Sequence, residues 1–246
     1  MAFSTKKYVA VITGDVIAFK ALPASVRRCM PRVIVGAGRS FNDALGPAMP
    51  WDADVFRGDG WQALIEDPVQ ALRAALFFRA FIKSACTEDN VDTRMAIGIG
   101  PVDYVPPGNI SAGDGAAYRA SGKLLGTMNS ARKGRIRCAF AHSPGIGNDI
   151  LKVPPDEELI DAVVRLAGTI GDKWRSRRAL AVTGALKGWP QASIAQNWPG
   201  PISRQAVGKH LQRAGWDAIS HALSVFEGKM RDFVKNRANG GPENGS

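Results

Sequence analysis

Apolar residues in the first half of the chain fall into short runs separated by glycine, proline and aspartate, and the period inside each run indicates the element. Lys7 to Thr13 (KYVAVIT) is β-branched and apolar, the pattern of a buried strand that stops at Gly14-Asp15. From Pro23 to Leu45, Val26, Met30, Val33 and Ile34 recur at three- and four-residue spacings, which predicts a helix with Gly36 and Gly38 in its interior. Asp54 to Arg57 (DVFR) and Trp61 to Ile65 (WQALI) flank Gly58-Asp59-Gly60, the pattern of a β-hairpin with an aspartate at its tip. Pro68, at a first-turn position, opens a helix to about Thr87 with Val69, Leu72, Leu76 and Ala80 on one face. Thr93 to Gly100 (TRMAIGIG) and Arg135 to Ala141 (RIRCAFA) read as strands, with a helix from Asp114 to about Met128 between them.

Strands and helices interleaved in this order predict an α+β fold with helices on one face of the sheet, as in ferredoxin-like palm domains. Ser143-Pro144-Gly145-Ile146-Gly147 punctuates the chain, and from Pro155 the pattern is helical, so the boundary falls near 145 to 155. Residues 1–150 are expected to form the palm domain, 151–238 an all-α domain with a helix-turn-helix, and 239–246 (NGGPENGS) a disordered tail. In the second domain Trp174 to Leu186, Gln191 to Trp198 and Ser203 to Ala214 give three helices, with Pro199-Gly200-Pro201 as the turn before the third. Ser203 suits an N-cap, and Val207 and Leu211 turn inward, which leaves Arg204, Gln205, Lys209 and Arg213 facing out. The tryptophans Trp174, Trp189, Trp198 and Trp216 are expected in the core or as staples, and Ile219, Leu223 and Phe226 on a helix that packs on the domain or pairs with a second copy as a homodimer.

Charge sharpens this picture. The 246 residues carry a net charge of +10, with 45% hydrophobic and 22% charged residues, which fits a folded chain with a polyanionic partner. Between Lys173 and Trp216 stand Lys173, Arg175, Arg177, Arg178, Lys187, Arg204, Lys209 and Arg213 without one Asp or Glu, the electrostatic footprint of DNA binding. Ser203, Arg204 and Gln205 then lie where base edges and phosphates are met, and Lys209 and Arg213 where phosphates are held. A basic helix in a bundle packed on the first domain is the plainer alternative. Three scattered cysteines fit a reduced, cytoplasmic protein, and no signal peptide or membrane span is expected. Three histidines without ligand spacing point any metal to oxygen donors.

An aspartate at the end of a buried strand and another at a hairpin tip converge when the strands are neighbours, and two carboxylates so placed can hold divalent cations against a triphosphate. Gly14, Gly58 and Gly60 let backbone approach phosphate or take positive φ. A simple turn aspartate remains the alternative for Asp59 alone. The ordered series TGDVIAF (Thr13 to Phe19), RGDGWQAL (Arg57 to Leu64), RMAIGIGPVDY (Arg94 to Tyr104) and GDGAAYRAS (Gly113 to Ser121) resembles the motifs of class III nucleotidyl cyclase domains. From about Tyr8 to Phe226 it is more similar still to the SatD family of bacterial proteins, which share the later helix-turn-helix ending in a Gly-Trp pair. The resemblance implies a palm that binds a nucleoside triphosphate with Mg²⁺ or Mn²⁺. Asp15 and Asp59 would be the catalytic and metal-holding residues, and the Val16 carbonyl a further metal ligand. Arg57 beside the hairpin tip, and Arg119 and Lys123 on the helix that Asp114 starts, are candidate phosphate contacts. Ala117 stands where the cyclases carry an asparagine, so an active nucleotidyltransferase-like enzyme and a degenerate palm serving a DNA-binding regulator are both kept as readings.

Overall fold

In the computed structural model, which describes residues 7–56, 58–86, 91–128, 135–141 and 156–239, the first apolar run is the middle strand of a five-stranded sheet. This strand, β1 (Tyr8–Val16), pairs antiparallel with β3 (Gly60–Ile65) on one side and β4 (Thr93–Pro101) on the other. β2 (Asp54–Phe56) lies outside β3, and β5 (Ile136–Phe140) runs parallel to β4, giving the order β2-β3-β1-β4-β5. β1 is longer than its apolar run predicts. Gly14, Asp15 and Val16 stay in the ladder because neighbours reach them, with Asp15 opposite Gly60 on one side and Arg94 on the other.

Helices cover both faces of the sheet, not one. α1 (Ala24–Leu45) and α2 (Ala71–Ala85) pack on the face that carries Ala10, Ile12, Ile65, Met95 and Ile97. α1 runs straight through its glycines, and at Gly38 a side chain would come within 3.1 Å of Met49. α3 (Ala116–Thr127) lies across β1, β4 and β5 on the other face, over Val9 and Val11. Gly98 of β4 is what admits α3 to this face. A Cβ there would sit 2.2 Å from the Ala117 carbonyl, so glycine lets α3 rest directly on the strand.

The predicted boundary near 145–155, together with Arg57, Thr87 and residues 240–246, lies outside the described residues. From α4 (Glu157–Gly171) onward the chain is helical: α5 (Ser176–Leu186), α6 (Gln191–Gln196), α7 (Arg204–Arg213) and α8 (Trp216–Asn239). α4 covers the outer edge of the sheet. The amides of Cys138 and Phe140 in β5 donate to the Asp161 and Glu157 carboxylates at 3.0 Å each, so that edge is closed to further strands. α5 packs on α2, and one apolar cluster runs unbroken from Ile12 and Ile34 to Leu186, Leu211 and Phe226. Ile219, Leu223 and Phe226 of α8, with Met230, are buried within the chain, and Phe233 meets Tyr8 and Phe140 edge-on. α2 is therefore buried nearly all round, where its sequence predicted a single apolar face.

Polar groups also join the sheet to the later helices. Arg79 of α2 is fully buried, and its guanidinium grips Asp92 through two bonds of 2.8 Å. The same group donates to the Gly168 carbonyl at 2.6 Å and to Asp172 at 2.5 Å, both at the end of α4. Lys83 and Arg135 add bonds to Asp92 at 2.9 and 2.6 Å. Burial alone would raise the Asp92 carboxyl, but the hydrogen bonds and charges of Arg79 and Lys83 outweigh it and hold Asp92 well below the usual carboxylate range. Burial pulls the Lys83 ammonium down from its ordinary value, partly offset by Asp92.

Replacing Asp92 by Asn leaves buried cations uncompensated and is expected to cost about 3–5 kcal/mol of stability in urea unfolding. Because the folded-state pKa of Asp92 is depressed, its contribution is complete above the ordinary carboxylate range of about pH 4 and is lost as pH falls below it. Asp92→Asn should therefore flatten the acid limb of stability against pH.

Candidate functional site

Strand register brings the two aspartates to one place. Asp15 stands opposite Gly60 in the β1–β3 ladder, and the Val16 amide donates to the Asp59 carbonyl at 3.0 Å. The hairpin tip is thereby pinned beside the end of the central strand. Gly58 sets that turn with φ +84°, a conformation that glycine adopts without strain. After Val16 the chain turns sharply. The Ile17 amide donates to the Asp92 carbonyl at 2.9 Å, and Ala18 takes a left-handed φ of 51°, after which Phe19–Ala21 forms one 3₁₀ turn. Ala18 is the one non-glycine residue with positive φ among the described residues, which marks local backbone strain.

This loop, Asp15, Asp59 and Arg94 line an open cleft of about 340 Å³, with Lys20 on its wall. The Val16 and Ile17 amides are spent on Asp59 and Asp92, leaving those of Ala18, Phe19 and Lys20 as spare donors among the described residues. The cleft thus brings the carboxylates of Asp15 and Asp59 together with the cationic side chains of Arg94 and Lys20. Two carboxylates and phosphate oxygens are a usual coordination set for Mg²⁺, so these hard oxygen donors fit Mg²⁺ or Mn²⁺. No group of three or more His, Cys, Asp or Glu residues that could hold a metal occurs among the described residues.

Arg94 is the site residue that sequence reasoning missed. Its guanidinium closes on both oxygens of Asp15, with Nε at 2.7 and 2.9 Å and Nη2 at 2.7 Å. The hydrogen bond to Asp15, with a smaller effect of the Asp59 charge, raises its pKa above even the ordinary arginine value. The quoted RMAIGIG run contains Arg94, but its place opposite Asp15 follows from strand pairing, which the run does not encode.

The other predicted positions separate. Gly14 faces the core, and a Cβ there would come within 2.5 Å of the Trp61 indole; at Gly60 a Cβ would come within 2.7 Å of the Phe56 ring. Close packing accounts for both glycines without a phosphate. Asp114 stands before α3, bridges to Tyr104 and accepts from Arg119 at 2.7 Å, while Arg119 also reaches Asp103 at 3.2 Å. Arg94 and Pro101 bound most of β4, about 23 Å at 3.3 Å per residue, so Asp114 and Arg119 stand beyond the opposite end of the sheet from Asp15. Lys123 is exposed on α3, and none of the three lines the cleft. Arg57 lies outside the described residues.

A second candidate surface lies on α5 and α7. The Ser203 hydroxyl accepts from the Ala206 amide at 3.2 Å and caps α7, while Val207 and Leu211 are buried. Ser203, Arg204, Gln205, Lys209 and Arg213 are exposed. Seven residues, 197–203, join α6 to α7, more than the three or four of the common tight turn. Within them Trp198 stacks on His210 with ring centroids 5.5 Å apart. Burial first, and then the charges of Arg177, Arg213 and Arg178, hold His210 below its ordinary pKa, so the start of α5 and the end of α7 form one basic patch. Lys187 is diverted from it, with its ammonium 4.6 Å from the Trp189 ring. Trp174 is buried, and its indole N–H donates to the Ala214 carbonyl at 2.8 Å, a core role.

No family model matches the chain, and no curated protein matches it significantly. No described helix is long and apolar enough to cross a membrane.

The basic patch has a direct readout in His210. In the free protein its imidazole is expected to titrate below its ordinary value of about 6.5, measurable by NMR, and Arg177→Ala and Arg213→Ala should each move the midpoint upward. Midpoints that stay put would place those charges away from the histidine.

Proposed function

We propose that this chain is a nucleotide-binding protein of palm type, similar to the SatD family, whose cleft takes a nucleoside triphosphate with Mg²⁺ or Mn²⁺ and whose α7 face binds DNA. The observation that carries the first half is the register that sets Asp59 beside Val16 and Asp15 at one end of the central strand. The strand order β2-β3-β1-β4 with α1 and α2 on one face corresponds to the βαββαβ arrangement of ferredoxin-like palms, which supports the reading. A bound divalent cation would neutralise phosphate charge and polarise the phosphoryl group, with Asp15, Asp59 and the Val16 carbonyl as its protein donors. The spare amides of the loop and Lys20 suit the phosphates.

The second half rests on the basic patch. Arg204 and Gln205 at the start of α7 can meet base edges, while Lys209, Arg213 and Arg177 can hold phosphates. Because α5 packs on α2 and shares a core with the sheet, a ligand in the cleft can alter DNA affinity by favouring one arrangement of these packed elements. The free cysteines suit the cytoplasm, where thiols stay reduced.

A second reading is favoured by two observations. Asp15 is already paired with Arg94, and Asp114 and Arg119 stand apart from it, which suits a palm that has lost catalysis and serves a DNA-binding regulator.

Asp59→Asn should abolish Mg²⁺-dependent triphosphate binding in calorimetry; unchanged binding would count against the cleft. Pyrophosphate release from any of the four nucleoside triphosphates with Mg²⁺ or Mn²⁺ separates an enzyme from a sensor. For DNA, Arg204→Ala and Lys209→Ala should each weaken duplex binding, and Lys209→Ala should lower the slope of log affinity against log salt by about 1. Binding of duplex with no salt dependence, or none at low salt, would sink the DNA half.

A further inference from the structure

Asp15 already carries a cation. The Arg94 fork engages both of its oxygens, and the third nitrogen, Nη1, donates to the Met128 carbonyl at the end of α3. Both side chains are roughly three-quarters buried, at 22% and 24% exposure, so water disperses this pair less than it does an exposed one. Asp59, which also lines the cleft, has no ion-pair partner among the described residues. The two carboxylates of the cleft are balanced by Arg94 and Lys20, a poor seat for a divalent ion by itself. Phosphate offers the guanidinium the same two-pronged acceptor geometry as a carboxylate, with more charge.

We propose that Arg94 is a tethered competitor for the divalent cation: the ion gains Asp15 only when the phosphates of a ligand draw the guanidinium away, so metal and triphosphate bind together. The proposal rests on the reading of the cleft given above and assigns Arg94 a role in deciding what enters it. Held by Met128 on the outer side, the guanidinium needs only to exchange one anion for another. Without a phosphate the exchange has no acceptor, and the ion pair stays closed.

The test is Mn²⁺ binding to the full chain without nucleotide, followed by the loss of the free-ion electron paramagnetic resonance signal. Wild type should bind weakly. Arg94→Met should bind about tenfold more tightly or better, the scale of one charge-assisted hydrogen bond. Adding Asp15→Asn to that variant should return it to wild-type weakness. Arg94→Lys, which keeps the charge and loses the fork, should fall between and serves if the Met variant melts early by circular dichroism. In wild type, calorimetry with each nucleoside triphosphate should show binding in Mn²⁺ that is lost in chelator. Unchanged or weaker Mn²⁺ binding in the Arg94 variants, with wild type still taking the metal–triphosphate complex, overturns this inference alone. Absence of Mn²⁺ binding in every protein, with and without nucleotide, overturns it together with the reading of the cleft.

Discussion

Arg79 and Asp92 are both withdrawn from water, and the surrounding structure has to keep the two charges compensated. Taking a guanidinium and a carboxylate out of solvent costs several kcal/mol each, a cost offset only when nearly every donor and acceptor is met. Here Asp92 accepts from Arg79, Lys83, Arg135 and the Thr93 amide, and Arg79 reaches on to Gly168 and Asp172. One ion pair thereby fixes where α2, the start of β4, β5 and the end of α4 meet. The glycine at 171 belongs to the same solution, since a side chain there would press within 2.8 Å of the Arg79 guanidinium.

The cleft inherits its geometry from this anchor. The backbone carbonyl of Asp92 receives the Ile17 amide, so the residue that compensates the buried charges also holds the loop leaving β1. The loop can then keep Ala18 in a left-handed conformation that would otherwise cost of order 1–3 kcal/mol. On the outer face of the same strand end, Asp15 meets Arg94, a less buried pair that remains open to the cleft. Two ion pairs therefore have different roles: the inner one is closed by its many partners, and the outer one is accessible to an incoming anion.

The later helices are attached through packing rather than by a tether. α5 lies on α2, α8 returns to the sheet through Phe233, and the Glu227 carboxylate meets Arg73 of α2 at 2.7 Å. The exposed cations of α5 and α7 are thus joined to the cleft through one packed core. Gly184 shows how tightly this is built, because a side chain on it would come within 2.7 Å of Ile194 in α6.

Local pattern determined much of this protein. The apolar run of β1, the β4 strand, the glycine-flanked Asp59 hairpin, the Ser203 cap and the inward Val207 and Leu211 were legible because each depends on residues a few positions apart. The basic block was legible as composition, though Lys187 turns into a ring contact that composition cannot show. What only tertiary structure decided depends on pairing across long separations. Arg94 meets Asp15 from 79 residues away, and Arg79 meets Asp172 from 93. Asp114 and Arg119 fall at the wrong end of the sheet because α3 runs back along β4, and α3 takes the second face because Gly98 admits it. Register and helix direction are set by how the whole core closes, and no window of neighbouring residues contains them.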